Sequence, residues 1–529
     1  MRFAALAALA LFVLGAAPAL AQKADGPVIR RGIVAEPATL DPQKASTFTE
    51  AAILTDLFEG LTTFDALGRL APGAAESWTV SEDGTVYTFK LRQGLRWSNN
   101  ERLRAADFVA SFRRLFEADT AAADVSSLLV IKNADLVRRG RAKAEELGVA
   151  AVDPTTLEIT LESPTPTFLL RLAEPAAMPI HAATVKKFGA EFSEPGKLVS
   201  NGPFRLQSRL KDGTVVLLRN TRYCAAAAVA PVSVLYRPFE NAAACADAFR
   251  KSEVVACADV PVEDLSAVKS EFGPALHIAP YLGTYYYVFD TRHGAFADVR
   301  VRRALAIAID QTALAETAWQ GGMLPATSLI PSVLIDLPPR KPIAERRTEA
   351  KRLLEEAGYG PAKPLSFTIR VGTGKEHEAT AAAVAAQWKE IGVTASVVTE
   401  ANRAHFERLS DGGQFDVARS GWIAEEADPL AMLDVFHGAN EAFNHARWKD
   451  QAFDGLLDLA AGEINSSRRT ALLTEAEATL EEAAPLVPLF HYASLSLVSP
   501  KLGGWHDTIT NLHPSRFLRL EESAAQPSP

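Results

Sequence analysis

The stretch Glu82-Asp-Gly-Thr-Val-Tyr-Thr-Phe-Lys-Leu-Arg92 carries the first clear structural signal in this 529-residue chain. Tyr87, Phe89 and Leu91 alternate with Thr88, Lys90 and Arg92, the period-two pattern of a strand with one apolar face. Asp83-Gly84 just before it is a hairpin turn signal. Downstream, Phe108, Phe112, Leu115 and Phe116 recur at helical spacing, which predicts an amphipathic helix from about Ala105. A strand with a tight turn followed at once by a helix places the segment in a mixed α/β chain.

The mixture continues to the C-terminus. Asp212-Gly213 precedes a strand over Val215–Leu218, and Tyr285, Tyr287 and Phe289 line one face of another. Asp298 reads as the N-cap of a helix over Val299–Ile309, and Asp310 as the cap of the next, which ends at Gly321-Gly322. Helices are predicted over Arg346–Ala357 and Ala379–Ile391, and strands over Leu365–Val371, Val393–Thr399 and Phe415–Ser420, an α/β alternation. Proline-rich breaks at Ser193–Pro203 and Pro325–Pro342 mark loops or crossings between subdomains, no solenoid-type repeat is present, and the tail from Ala524 should fray.

At 529 residues the chain is too long for one core. Its 48% hydrophobic and 22% charged residues are ordinary for a globular protein and exclude disorder. A net charge of −9 gives no electrostatic case for nucleic acid or an anionic membrane surface. Arg2, the apolar run Phe3–Leu14 and Ala19-Leu20-Ala21 read as a cleaved signal peptide over 1–21. The residue after the cut is Gln22, not cysteine, so lipid anchoring there is not expected, and the address is periplasmic. In an oxidising compartment one disulfide is plausible. Cys245 and Cys257 are the nearer pair and Cys224 is left over, although sequence alone leaves the pairing open.

Signals for reaction chemistry are weak. There is no Gly-x-Ser-x-Gly elbow. His377-Glu378 opens like a zinc-protease motif, but Ala381 stands where the second histidine belongs. Gly374-Lys375 is followed by Glu376 where a phosphate loop needs Ser or Thr. No catalytic residue, metal site or cofactor is therefore expected. The informative stretch is Phe415-Asp-Val-Ala-Arg-Ser-Gly-Trp-Ile-Ala-Glu-Glu-Ala-Asp-Pro429. A strand ends near Gly421, and Asp428-Pro429 fits the cap and first position of a helix over Leu430–Phe436. Arg419 shares the strand face of Phe415 and Val417 and needs a partner if that face is buried. That partner is either Glu425 or Glu426 within the chain, or a ligand.

Taken together these segments resemble the oligopeptide- and dipeptide-binding proteins of bacterial ABC importers. The likeness runs through Leu40-Asp-Pro and Asp56-Leu-Phe-Glu-Gly60, then Ala75-Glu-Ser-Trp78 to Arg92, Trp97 and Ala106-Asp-Phe108. It continues through Asn201-Gly-Pro-Phe-Arg205 with Asn220 and Tyr223, and through Phe296-Ala-Asp-Val-Arg300 with Arg303-Ala-Leu305 and Asp310. Pro280-Tyr-Leu282, Thr284-Tyr-Tyr-Tyr287 and the Arg419–Glu425 segment are similar to the oligopeptide subgroup. The resemblance implies a two-lobed periplasmic-binding-protein clamp of type II with an inserted subdomain. Lobe I would combine 22–60, 183–282 and 494–529; the inserted subdomain II would span 61–182, and lobe III 283–493, with crossings near Leu282 and Ser494. It implies a protein that captures short peptides and hands them to membrane permease subunits; the sequence shows no sign of oligomerisation, so a monomer is expected.

On the same resemblance, Glu425 falls where the family places an aspartate for the ligand's α-amino group. Arg419 and His377 match residues that meet a ligand carboxylate, and Trp422 and the Tyr285–Tyr287 run would line the groove. Two departures matter. Glu425 is one methylene longer than aspartate, which displaces its charge by about 1.5 Å. The enteric proteins carry cysteines where this chain has Gly283 and Ile423, so that bridge is absent. The same fold could instead serve haem, a nickel chelate, a murein peptide or an opine, since fold does not fix ligand. A secreted peptidase or a chaperone-like module is the rival from outside the class.

Overall fold

Two long antiparallel strands, Leu276–Phe289 and Leu486–Val498, lie side by side in the middle of an 11-stranded sheet. In this computed structural model, which describes residues 26–262, 264–336 and 338–521, the other strands of the main path flank that pair on both sides. On one flank are Val417–Ile423, Ser366–Gly372 and Thr394–Glu400. On the other are Ala256–Cys257, Val28–Val34, Ser233–Phe239, Val215–Arg219 and Phe204–Arg209. The signal peptide expected at 1–21 and the tail from Ala524 lie outside the described residues. Among those residues no helix is long and apolar enough to cross a membrane.

The central ladder has a break. Leu276–Pro280 pairs with Leu497–Ala493 and Thr284–Val288 with His491–Leu486, with the register shifting between Pro280 and Thr284. Extra residues on one strand bend a ladder, and the bend falls where the chain passes from one half of the sheet to the other. Gly283 is needed there: a Cβ would stand 2.6 Å from the Trp422 carbonyl oxygen and 2.9 Å from the Tyr492 ring.

Each flank has its own apolar core. Tyr285, Tyr287 and Phe289 pack with Val301, Leu305, Phe367 and Trp388 beneath one half, while Ile29, Leu57, Phe204 and Val234 pack beneath the other. A separate four-stranded sheet, in the order Ala75–Val80, Val86–Leu91, Thr156–Thr160 and Val149–Asp153, carries a third core running from Leu61 to Ala177. The strand read from Tyr87, Phe89 and Leu91 is at its centre, covered by the helix Ala105–Phe116, whose Phe108, Phe112, Leu115 and Phe116 are all buried as the spacing predicts.

The motif blocks are pins of this architecture. Asn201 bonds the backbone of Glu59 in both directions, at 3.1 and 2.8 Å. The Glu59 carboxylate then takes the Tyr223 hydroxyl at 2.6 Å and Arg516 at 2.7 Å, tying the C-terminal segment to the early helix Phe48–Leu57 and its exit. Asp298 and Asp310 cap the helices Val299–Ile307 and Gln311–Ala318 as expected. The helix predicted from Ala379 begins at Lys375, four residues earlier, with Glu376 and Glu378 in its first turn complementing the helix dipole.

Cys245 and Cys257 form a disulfide with Cα atoms 6.1 Å apart, and Cys224 is free and exposed among the described residues. The bridge ties the helix Ala242–Arg250 to the short strand Ala256–Cys257. Gly32 makes room for it, since a Cβ there would meet the Cys245 sulfur at 2.2 Å. Replacing both cysteines by alanine should lower stability by about 3 kcal/mol, the loop-entropy figure for a closure of this size. A shifted urea midpoint with unchanged far-UV circular dichroism is the expected reading; an unmoved midpoint would show that the bridge constrains nothing.

Candidate functional site

Strand Val417–Ile423 pairs antiparallel with the crossing strand so that Arg419 faces Tyr287 and Gly421 faces Tyr285. Directly paired residues share a sheet face, so Arg419, Tyr285 and Tyr287 belong to one side. The guanidinium of Arg419 sits 5.1 Å from the Tyr285 ring centroid and 5.4 Å from that of Phe406. No carboxylate among the described residues lies within ion-pairing distance of it, and its buried Nε has no partner. Neither Glu425 nor Glu426 therefore neutralises Arg419. A half-buried cation fixed by aromatic faces and lacking a counterion is poised for an anion.

His377 joins the same cluster. It lies in the first turn of helix Lys375–Lys389, its Nδ1 3.3 Å from the Tyr285 hydroxyl and its ring 6.0 Å from that of Trp319. Burial, with Arg419 nearby, pushes the imidazole down to about 4, so it is neutral at physiological pH. Tyr285 and Tyr287 are fully buried. In this conformation the strand face of these two residues, expected to line the groove, turns into the core, where they support Arg419 and His377 from beneath. Sequence reasoning missed His405 and Phe406 on the helix Asn402–Ser410. His405 is fully buried with a ring nitrogen 2.8 Å from the Arg419 carbonyl oxygen, and Phe406 stacks on the guanidinium. The adjacent His-Phe pair gave no motif; only the fold brings it to Arg419.

Trp422 pairs with Thr284 and so belongs to the opposite sheet face from Arg419. Its indole N–H donates to the Ala431 carbonyl at 2.8 Å and its ring packs 5.2 Å from Phe443. The structure does not bring it to the Arg419–His377 cluster.

Glu425 is exposed and lines a cavity of about 410 Å³ together with Phe48, Phe64, Tyr281 and Glu174. It has no ion-pair partner among the described residues. Its neighbour Glu426 does: the carboxylate meets Arg171, at the end of the short helix Phe168–Arg171, at 2.7 Å. Glu174 is pushed up to about 7 by burial and by the Glu426 charge. The segment is anchored by Asp428, which caps helix Pro429–Leu433 and takes both amino groups of Arg469 at 2.6 and 2.8 Å. The cavity thus carries more negative than positive charge. Gly283 and Ile423 stand opposite each other across the strands, the geometry that a bridge between those positions would need.

A two-lobed α/β architecture whose halves share one pair of long crossing strands is that of a solute-binding protein. Residues 69–444 match the family described as bacterial extracellular solute-binding proteins, family 5 middle, and the chain belongs to that family. The periplasmic oligopeptide-binding protein OppA of Escherichia coli strain K12 is 33% identical over 498 residues, covering 92% of this chain and 91% of that protein. The unliganded open form of the periplasmic murein tripeptide binding protein MppA superposes with a TM-score of 0.89 at 31% identity, over 94% of this chain and 98% of that one. A second structure of the Escherichia coli murein tripeptide binding protein gives 0.66 at 32% identity, over 94% and 99%. OppA of Haemophilus influenzae in complex with the peptide RPPGFSPFR gives 0.64 at 28% identity, over 94% and 99%. Of these structures, the one described as an unliganded open form superposes best on this chain.

Arg419→Ala should raise the His377 titration midpoint from about 4 toward the ordinary histidine value, because it removes a positive charge that disfavours the imidazolium. Burial keeps the rise partial. Imidazole NMR across pH 3–8 reads it, and an unchanged midpoint would place Arg419 away from His377 in solution.

Proposed function

We propose that this chain is the periplasmic substrate-binding component of a peptide importer, closing around short peptides and delivering them to inner-membrane permease subunits, as a monomer and without catalysis. The observation that carries this reading is the pair of uncompensated charges on one segment: Arg419 held between aromatic rings without a counterion, and Glu425 free at the wall of a cavity. A zwitterion neutralises both. What all peptides share is a main chain and two terminal charges, so a clamp that accepts many sequences must read those features. Glu425 would hold the α-ammonium, and Arg419 with neutral His377 the carboxylate, with Trp422 on a neighbouring wall and Tyr285 and Tyr287 as buried support. The division into 22–60 with 183–282 and 494–529, 61–182, and 283–493 belongs to the same proposal; separate apolar cores support it.

Native mass spectrometry of the purified protein identifies the co-purified ligand, and a peptide is expected rather than haem, a nickel chelate or an opine. A mixed-peptide incubation should yield no cleavage products. With that peptide, Glu425→Ala should cost about 2–5 kcal/mol, the range for removing one partner of a buried charge pair. That is roughly thirtyfold to a few thousandfold in Kd. N-acetylating the peptide should cost as much, and the two losses should not add. An unchanged Kd in Glu425→Ala would remove the amine assignment.

A further inference from the structure

The cavity that Glu425 lines holds a second carboxylate without a counterion. Glu174 stands just after the helix Phe168–Arg171, at the position before the short turn Pro175–Ala177, yet its side chain makes no capping bond to that turn. The carboxyl group lies deep among protein atoms but has no hydrogen-bond or ion-pair partner among the described residues, and its oxygens are not sealed off from the cavity. The nearest cation in sequence is already engaged. Arg171 meets the Glu426 carboxylate at 2.7 Å and donates through Nη1 to the Ser127 carbonyl at 2.7 Å.

The rest of the wall does not restore the balance. Glu426 is matched by Arg171, Asp124 adds a further carboxylate, and burial pushes the Tyr281 phenol up, so it stays uncharged at neutral pH. Helix Phe48–Leu57 presents Phe48 and Ala51, and the C-terminal segment presents Thr510, none of them charged. A peptide whose α-ammonium sits on Glu425 brings one positive charge and leaves Glu174 unmatched. An apolar ligand side chain pressed against Glu174 would cover the carboxyl without giving it a donor, which costs free energy. A cationic side chain supplies both donor and countercharge. A site built around such a group discriminates against ligands that lack its match.

We propose that Glu174 is a specificity-determining residue of the peptide groove, selecting peptides with a lysine or arginine side chain at the first or second position; this rests on the reading that Glu425 takes the α-ammonium. The cavity, at about 410 Å³, is near the low end for ligand sites, with room for the amino-terminal residues of a peptide rather than an extended chain. Burial and the Glu426 charge push the Glu174 carboxyl up to about 7, so in the empty groove it takes up a proton as pH falls through neutrality. A bound ammonium favours the ionised form, and the basic side chain therefore displaces that proton on binding. Its advantage is full above pH 7 and shrinks toward pH 5, where Glu174 must first give the proton up.

The test measures Kd by calorimetry on the full-length secreted protein for Lys-Ala-Ala, Ala-Lys-Ala and Ala-Ala-Lys, each also extended by two C-terminal alanines. Matching peptides carry norleucine for lysine, which keeps the carbon stem and removes the charge. At pH 7.5 a lysine at the first or second position should bind at least tenfold tighter than its norleucine counterpart, and a lysine at the third should not. In Glu174→Gln that ratio should fall to about one, whereas in Glu425→Ala both series weaken together and the ratio persists. In the unaltered protein the ratio should shrink at pH 5.5, and buffers of different ionisation heat should report more proton release with the lysine peptides. If no peptide binds, the peptide reading fails and this inference with it. Equal binding of lysine and norleucine peptides keeps the reading and overturns the inference. So does a lysine advantage that survives Glu174→Gln or is the same at all three positions. The pH dependence and proton release keep the test decisive if Glu174→Gln fails to fold.

Discussion

The antiparallel pairing of Leu276–Phe289 with Leu486–Val498 is the constraint on which the rest of the molecule depends. Those two strands are shared by both flanks of one continuous sheet, so each flank completes its ladder only through them. A fully regular ladder would make the two halves one rigid plate. The register shift between Pro280 and Thr284 interrupts the ladder at the passage between halves, so the two cores are not joined by a continuous regular ladder there. Gly283, pressed against the Trp422 carbonyl and the Tyr492 ring, shows how tightly the chain is packed beside that bend. Tyr281 precedes it and lines the cavity of Glu425, so the hinge and the groove share residues.

Charge placement along strand Val417–Ile423 and the segment after it follows from the same geometry. An arginine can avoid the nearest carboxylates only if something else holds it. Tyr285 and Phe406 do this with their ring faces, which stabilise a guanidinium without occupying its hydrogen-bonding fork. The acidic side is kept free by a different device. Glu426, the carboxylate next in sequence, is the one that takes Arg171, leaving Glu425 exposed at the cavity wall.

The fold was legible because its signals are local and repeated. Period-two alternation at Tyr87–Leu91, helical spacing at Phe108–Phe116 and the caps Asp298, Asp310 and Asp428 each report a decision made within a few residues. The motif blocks at Glu59, Asn201 and Tyr223 were equally readable, and they pin the flank of Val28–Val34 to its C-terminal segment. The site was legible only in part. Arg419, His377 and Glu425 could be named from sequence, but which sheet face each neighbour takes depends on register. Trp422, three residues on from Arg419 in the same strand, takes the opposite face, and the pairing turns Tyr285 and Tyr287 into the core. His405 and Phe406 approach Arg419 from a separate helix, a contact between positions with no shared pattern to read.

An empty clamp must not neutralise itself. On the assignment proposed above, an Arg419–Glu425 pair in the open state would have to be displaced by each ligand terminus, and most of the Coulomb gain would cancel. Here they do not pair: Arg419 lies inside strand Val417–Ile423, and Glu425 lies two residues beyond its end, at a bend. The strand's pairing to Gly283–Phe289 keeps it straight through Ile423, and the Asp428–Arg469 pair fixes the segment that follows. The Arg419 and Glu425 charges thus stay apart in this arrangement, and neither has an ion-pair partner among the described residues.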